Sequence, residues 1–413
     1  MKRLFLSLVV LAATAALVWA APAPAAAEPA PAPASKGMAA VLEPFVKSHT
    51  LAGAVTLVAS QDKVLGLEAV GYADIAAGKP MRTDSLFWIA SMSKPMTATA
   101  LMMLVDEGKV RVDDPVEKYL PEFQGQMVVA ERDNQRVVLK PPAHPITVKN
   151  ILSHTSGLPY MTRLEHKIDT FPLDEAAVIY ALTPLKFEPD SKYEYSNAGI
   201  NTVGRIIEVA GGMPYEKFMD ERLFKPLGMK DTTFWPSEEQ LRRLAKSYKP
   251  DADQKGLVET AIGYFAYPLS NRRRSPCPAG GLFSTAGDVS IFCRMILGGG
   301  VYGGKRYISE EALRQMTSTQ TGNLLSKGQG DSGYGFGWFT SRAVHGKSDP
   351  VIVGGCGHSG AYGTDMWIDP ETRLITVYLI QHAGFPGKDG PKILPAFKKA
   401  AADAFAIGVI TPR

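Results

Sequence analysis

The sequence of 413 residues predicts an α+β protein, an antiparallel sheet flanked by helices with a large, mainly α-helical insert. Two observations carry this. Strand-like runs punctuated by glycines and polar turns lie near both ends, over 54–71 and 334–380, whereas helical apolar spacing dominates 173–229 between them. A sheet drawn from both chain ends around a helical segment is a layered α+β arrangement.

Residues 1–27 read as a signal peptide. Lys2 and Arg3 precede an apolar run that is short for a bilayer span, and cleavage can follow Ala20 or the cluster Ala25, Ala26 and Ala27. The Ala/Pro-rich stretch 28–37 is expected to be an extended linker. One domain then covers 38–413, with an α/β part at 38–90 and about 280–413 and a helical part at about 91–279. Periplasmic or secreted localisation without a stable membrane anchor follows from the leader.

Within the domain, Met38, Leu42, Phe45 and Val46 give one apolar face to a helix over 37–49. Runs 54–60 and 65–71 flank Gln61, Asp62 and Lys63 as a hairpin. Met96, Ala100, Leu101, Leu104 and Val105 line a buried helix stopped at Gly108. A second hairpin is expected around Asp133 and Asn134, and Thr147 caps a short helix into Leu152. A helix over 200–209 stops at Gly211 and Gly212, and Pro214 opens another. Ser284 or Thr285 caps a helix over 289–297. Strands are predicted at 334–339, 351–355, 362–368 and 374–380, and a closing helix at 395–406.

Where the first long helix opens, the chain reads IASMSKPMT. Ser91 and Lys94 stand three positions apart, one helical turn, so both side chains can reach one space. A serine hydroxyl needs a nearby base to act as a nucleophile. Bringing a lysine from about 10.4 to about 7 takes roughly 4 to 5 kcal/mol of burial or cationic neighbours. The pattern alone is weak: Ser60 and Lys63 repeat it on the predicted hairpin turn, and Ser91 taken by itself fits a helix cap equally well. Two further motifs supply partners. Tyr195, Ser196 and Asn197 form YSN ahead of a helix, and His358, Ser359 and Gly360 form HSG near the late strands.

On these residues the sequence resembles the serine β-lactamase and penicillin-binding protein superfamily, and within it the class C β-lactamases, DD-peptidases of that type and related esterases. LSHTSGL at 152–158, FKPLGM at 224–229, GGLFST at 280–285 and YGFGW at 334–338 extend the likeness. The resemblance implies a β-lactamase/transpeptidase-like fold, with Ser91 as acylated nucleophile, Lys94 taking or relaying its proton and Tyr195 activating water. Which of Lys94 and Tyr195 is the base stays open. It implies that Asn197 holds Lys94 and a substrate carbonyl, and that an oxyanion sits between the backbone N–H groups of Ser91 and Ala361. A lysine ammonium beside Tyr195 would favour its phenolate. His358 stands where the lactamases carry lysine. A neutral imidazole offers no fixed cation for a carboxylate, which points to an ester substrate ahead of a β-lactam or peptide. A catalytically idle homologue that binds cell-wall peptide is the non-enzyme alternative.

Other chemistries find little. A net charge of +4 without a dense basic tract argues against nucleic acid. GxSxG and HExxH do not occur, and the seven histidines are scattered, so neither an α/β-hydrolase elbow nor a metal or cofactor is expected. Three cysteines cannot form a disulfide framework, and buried thiols suit them. Arg272, Arg273 and Arg274 read as a solvated loop. About half of Trp88, Tyr160, Tyr264, Phe265 and Trp338 are expected at the site rather than in the core. Oligomeric state is not legible.

Overall fold

A computed structural model describes residues 37–324, 332–341 and 354–405. The leader 1–27 and all but Gly37 of the linker 28–37 lie outside them. Eight strands form the main sheet: β1 Gly53–Ala59, β2 Val64–Asp74, β3 Lys79–Pro80, β4 Ser332–Tyr334, β5 Phe339–Ser341, β6 Cys356–Ser359, β7 Asp365–Asp369 and β8 Leu374–Leu379. Their order is β4-β5-β6-β7-β8-β1-β2-β3, so β1 pairs with β8 and the two chain ends meet in mid-sheet. The antiparallel sheet built from both ends is present.

β1 is buried along its whole length, which its unbroken apolar run requires. Val55, Leu57 and Ala59 face a large cluster shared with the helical part, whereas Ala54 and Val58 face a smaller one. Each valine or leucine of these, taken fully from water, contributes roughly 1.5 to 3 kcal/mol, and each alanine less. Five helices flank the sheet and the helical part: α1 Ser93–Asp106, α2 Leu173–Leu182, α3 Asn197–Gly211, α4 Ala286–Leu297 and, on the smaller cluster, α5 Gly390–Phe405. α1 is buried at every one of its first twelve residues, Ser93 to Leu104, a largely apolar helix held as a core element. Gly108, in the left-handed region at φ 70°, follows its end. Thr147 caps Val148–Leu152 through Asn150, and Thr285 caps α4.

Several boundaries differ from expectation. The helix over 37–49 splits into a 3-10 turn at Met38–Leu42 and a helix at Glu43–Lys47. The strand expected at 334–339 is the turn between β4 and β5, because Gly337 sits at φ 78° and Phe336 and Trp338 turn into the core. Of the strand expected at 351–355, the first three residues are outside the described ones, and Gly354, at φ 91°, precedes β6. β7 starts at Asp365, since 362–364 complete the turn from β6. α5 begins at Gly390 and carries Pro395 inside it, where a proline was read as a start. The helical part also holds a hairpin, Ser247–Pro250 with Leu257–Thr260, that apolar spacing did not announce.

Candidate active site

Ser91 sits in a 3-10 turn, Ala90–Met92, immediately before α1. Ala90 is in the left-handed region at φ 46°, a strained conformation for an alanine, of order 1 kcal/mol. Ser93 steadies the turn, donating to the Ala90 carbonyl at 2.6 Å and accepting from the Leu282 N–H at 3.2 Å. Ser91 does not cap the helix. The position before α1 is Met92, and the Ser91 hydroxyl instead accepts from Lys94 Nζ at 3.1 Å. The second SxxK copy is a closed turn, in which the Ser60 N–H and hydroxyl both donate to the Lys63 carbonyl.

Lys94 is fully buried. Its Nζ donates to the Ala279 carbonyl at 2.7 Å and lies 4.6 Å from the Tyr195 ring centroid. Burial lowers its pKa to about 7, the dominant cause, with the nearby Cys277 sulfur acting in the other direction. The amine is therefore close to half-neutral at neutral pH, as a serine base must be. Tyr195 behaves otherwise than expected. Burial pushes its phenol well above the ordinary value, with a hydrogen bond to Ser91 acting the other way, so the phenol keeps its proton and no phenolate forms beside the ammonium.

Asn197 opens α3 behind its cap Ser196, which accepts from the Gly199 N–H at 2.9 Å. The expectation that Asn197 holds Lys94 is not met: among the described residues the amine bonds Ser91 and Ala279, while the Asn197 amide reaches the Tyr160 phenol. Asn197 Oδ1 is buried with no partner among the described residues. The loop that carries YSN is tied to SHTSGL, because the Ser196 N–H donates to His154 Nδ1 at 3.1 Å. The His154 ring packs 4.5 Å from Tyr195 and 4.6 Å from Tyr334.

On β6, His358 is buried and its tautomer is determined by its partners. Nδ1 lies 2.8 Å from the Ser359 carbonyl, which only accepts, so Nδ1 carries the proton and Nε2 accepts from the Tyr334 hydroxyl at 3.2 Å. Burial first and the Lys94 charge second lower its pKa to about 3. Ser359 turns its hydroxyl to Asp365 Oδ2 at 2.9 Å, on the neighbouring strand. Gly360 is required by contact: a Cβ there would lie 2.5 Å from the Ile89 carbonyl oxygen. That approach brings the turn at Gly360 and Ala361, tied back by Thr364 Oγ1 to the same Ile89 carbonyl, beside the Ser91 turn.

Thus Ser91, Lys94 and Tyr195 share one space, with Asn197, His358, Gly360 and Ala361 around it, and Ser359 is engaged on the sheet. Sequence reasoning missed Ala279 and the anchoring roles of Tyr334 and His154; the last two lay within quoted motifs, YGFGW and LSHTSGL. Of the five aromatics weighed, Trp338 is core, stacked on Phe292, whereas Tyr160 lies 6.2 Å from Tyr195 and Trp88 packs against Tyr264 and Phe265. Arg274 is a correction to the solvated loop: it is 2% exposed, paired with Asp169 at 3.2 Å and laid on Phe265. All three cysteines are free and buried, and burial raises Cys277 to about 11, so it is no thiolate. Among the described residues no cluster of His, Cys, Asp or Glu could hold a metal, and no helix is long and apolar enough to cross a membrane.

A family model described as Beta-lactamase matches residues 38–396. The chain is 37% identical over 354 residues to Protein Rv1367c of Mycobacterium tuberculosis, covering 80% of this chain and 86% of that protein. It is 28% identical over 383 residues to esterase EstB of Burkholderia gladioli, covering 85% and 91%. With the D-alanyl-D-alanine-carboxypeptidase/endopeptidase AmpH of Escherichia coli it shares 29% over 316 residues, 73% of each.

Proposed function

The chain belongs to the β-lactamase family, a serine hydrolase fold related to esterases and DD-peptidases, and we propose that it is an exported esterase acting through an acyl-enzyme on Ser91. The observation that carries the reading is the fully buried Lys94 amine, 3.1 Å from Ser91 Oγ and brought to about 7. Neutral Lys94 takes the Ser91 proton as Oγ attacks the ester carbonyl carbon. The oxyanion is held by the N–H groups of Ser91 and Ala361, each such donor being worth about 100- to 1000-fold in rate. As the tetrahedral species collapses, the C–O bond to the alcohol breaks and the proton on Lys94 passes to the departing oxygen. Tyr195, a neutral phenol, relays that proton; with Lys94 again neutral the pair takes a proton from water as its oxygen attacks the acyl carbon, the bond from that carbon to Ser91 Oγ breaks, and the proton passes to Oγ, which frees the acid and restores the serine.

An ester is favoured over a β-lactam because His358 is a neutral imidazole locked by Tyr334, which leaves the position without a cation for a substrate carboxylate. Likeness to EstB supports this order, and likeness to AmpH keeps peptide hydrolysis as the rival. The decisive experiment compares a short-chain aryl ester with a chromogenic cephalosporin, alongside intact mass after a fluorophosphonate. Ester turnover with an adduct lost in Ser91→Ala is expected. Cephalosporin turnover with negligible ester hydrolysis would reverse the order, and no adduct would end the acyl-enzyme reading. Export is tested by the N-terminus of the mature protein, expected within or just after residues 20–27 of the sequence.

A further inference from the structure

Behind Lys94 runs a chain of four hydrogen bonds that the reaction as described does not use. Lys94 Nζ donates to the Ala279 carbonyl at 2.7 Å, and the Ala279 N–H donates to Asn201 Oδ1 at 3.1 Å. Asn201 Nδ2 donates to the Tyr180 hydroxyl at 3.0 Å, and that hydroxyl donates to Glu165 Oε1 at 2.5 Å. The directions are forced. A backbone N–H only donates, so Asn201 must present its oxygen to Ala279 and its nitrogen to Tyr180. The Tyr180 proton is then left for the carboxylate. All four bonds point the same way, from an amine to a carboxylate; the three from the Ala279 N–H onward polarise one another in a low-dielectric interior, and the fourth, on the carbonyl of the next peptide, is held in line with them by the Ala279 backbone.

The links are drawn from separate elements: α1, the loop before Phe283–Ser284, α3, α2 and the loop carrying Glu165. Ala279, Asn201 and Tyr180 are all buried. Glu165 is held from its other side, its Oε2 accepting from the Thr162 N–H at 2.8 Å and hydroxyl at 3.1 Å. The titratable groups facing Lys94 are Tyr195, Cys277, His154 and His358. Burial keeps the two imidazoles neutral and raises the phenol and the thiol, so none of these four supplies an anion near neutrality. Cys277, 3.5 Å from Asn201 Oδ1, stays a thiol at the middle of the chain.

We propose that Glu165, which touches neither Ser91 nor Lys94, is the remote counter-charge of the Lys94 ammonium, coupled to it through Tyr180, Asn201 and the backbone of Ala279. Tyr180 and Asn201 are positioning residues. They fix the Ala279 backbone so that its carbonyl stays on the amine, and they keep the carboxylate and the aligned dipoles pointed at it, which sets how readily Lys94 gives and takes its proton. The consequence for catalysis rests on the reading of Ser91 and Lys94 as the reacting pair; the coupling itself does not.

The test reads Lys94 directly. The full chain is labelled with 13Cε-lysine and titrated by NMR, the Lys94 signal being the one lost in Lys94→Met, with a midpoint expected near 7. Tyr180→Phe removes the last link, and the midpoint should fall by about half a pH unit or more, because the cation loses support. Asn201→Asp places a carboxylate two bonds nearer and should move it upward by a similar amount, about half a unit. A packing role alone gives no reason for opposite shifts. Should Tyr180→Phe fail to fold, Glu165→Gln removes the charge while keeping an acceptor oxygen, and a downward shift is again expected. Midpoints unmoved in these variants, or shifts of one sign in Tyr180→Phe and Asn201→Asp, would overturn the coupling. The acid limb of kcat/KM on an aryl ester is measured in parallel. If Lys94 shifts as described while the limb stays in place, the coupling stands and Lys94 is not the base.

Discussion

Tyr334 donates its hydroxyl to His358 Nε2 across 3.2 Å, while His358 Nδ1 gives its proton to the Ser359 carbonyl at 2.8 Å. Both ring nitrogens are satisfied by neutral partners, and the buried ring is driven to about 3, so it does not titrate near neutrality. His358→Gln supplies a carbonyl oxygen for Tyr334 without any charge. The expected outcome is ester kcat/KM within about fivefold of the parent, at the level of one altered neutral hydrogen bond, with an unmoved acid limb. A pH–rate profile from pH 4 to 9 checks it, and loss of a limb in the variant would show that the imidazole titrates in catalysis.

The Lys94 amine gives a pH dependence of definite sign. Its pKa falls from 10.5 to about 7, so below that value it is protonated and cannot take the Ser91 proton. Activity should rise with pH through about 7 as the base becomes neutral. Lys94→Met should remove nearly all turnover.

Stability rises with pH as well, but over a higher window and because the lysine is costly to the fold. Unfolded, Lys94 binds its proton up to about 10.4; folded, it releases it near 7. The unfolded state therefore holds more protons between those values, and stability rises with pH across that window. The penalty is fully present below the folded value and relieved above the unfolded one. A shift of this size corresponds to about 3 to 5 kcal/mol at most, so Lys94→Met should be inactive yet more stable at pH 7 than the parent. Denaturant unfolding at pH 7 and pH 10 checks both parts, with the gap between variant and parent narrowing at the higher pH.

Much of the site was legible because its parts are local. Ser91 and Lys94 are one turn apart, and YSN and HSG are contiguous, whereas the close approach of Gly360 to Ile89 is seen only in the fold. The supporting contacts were not legible either. Ala279 is 185 positions from the amine that it holds, and Asn201 is 78 from Ala279, separations at which no periodicity records a hydrogen bond. The Tyr195 phenolate was misjudged for a related reason. A neighbouring ammonium is visible in a motif, whereas the depth of burial that outweighs it is a property of the packed fold. Strand ends slipped where glycines at 337, 354 and 363 turn the chain, since strand-like composition continues through those turns.

The mouth of the site offers a substrate-size prediction. Tyr160 is 45% exposed and Tyr264 36% exposed; Tyr160 stacks on half-buried Tyr195 at 6.2 Å, and Tyr264 lies tilted on buried Trp88 at 5.2 Å. Exposed rings backed by fixed aromatics suit an apolar acyl or leaving group. Tyr264→Ala should raise KM for aryl esters of long or aromatic acids by about tenfold, the worth of one ring contact, with kcat little changed and acetate esters hardly affected. A chain-length series from acetate to octanoate checks it, and a uniform change across the series would remove Tyr264 from substrate selection.

Arg274 and Asp169 stabilise the segment beside that mouth. The guanidinium is 2% exposed and the carboxylate fully buried. Arg274 Nε meets Asp169 Oδ2 at 3.2 Å, and Nη1 donates to the carbonyls of Phe234 at 2.8 Å and Leu269 at 2.6 Å. Its face lies 3.9 Å from the Phe265 centroid, and Asp169 Oδ1 accepts from the Ala266 N–H at 2.8 Å, so one ion pair joins three stretches of loop. A buried charge left without its partner is costly, and Asp169→Ala should lower stability by about 3 to 5 kcal/mol. Replacing both residues, as Arg274→Met with Asp169→Leu, leaves no orphaned charge and should recover part of that loss. Thermal unfolding of the two single variants and the double variant checks the sign of the coupling. If the singles unfold like the parent, the pair is solvated, as the basic run in the sequence first suggested.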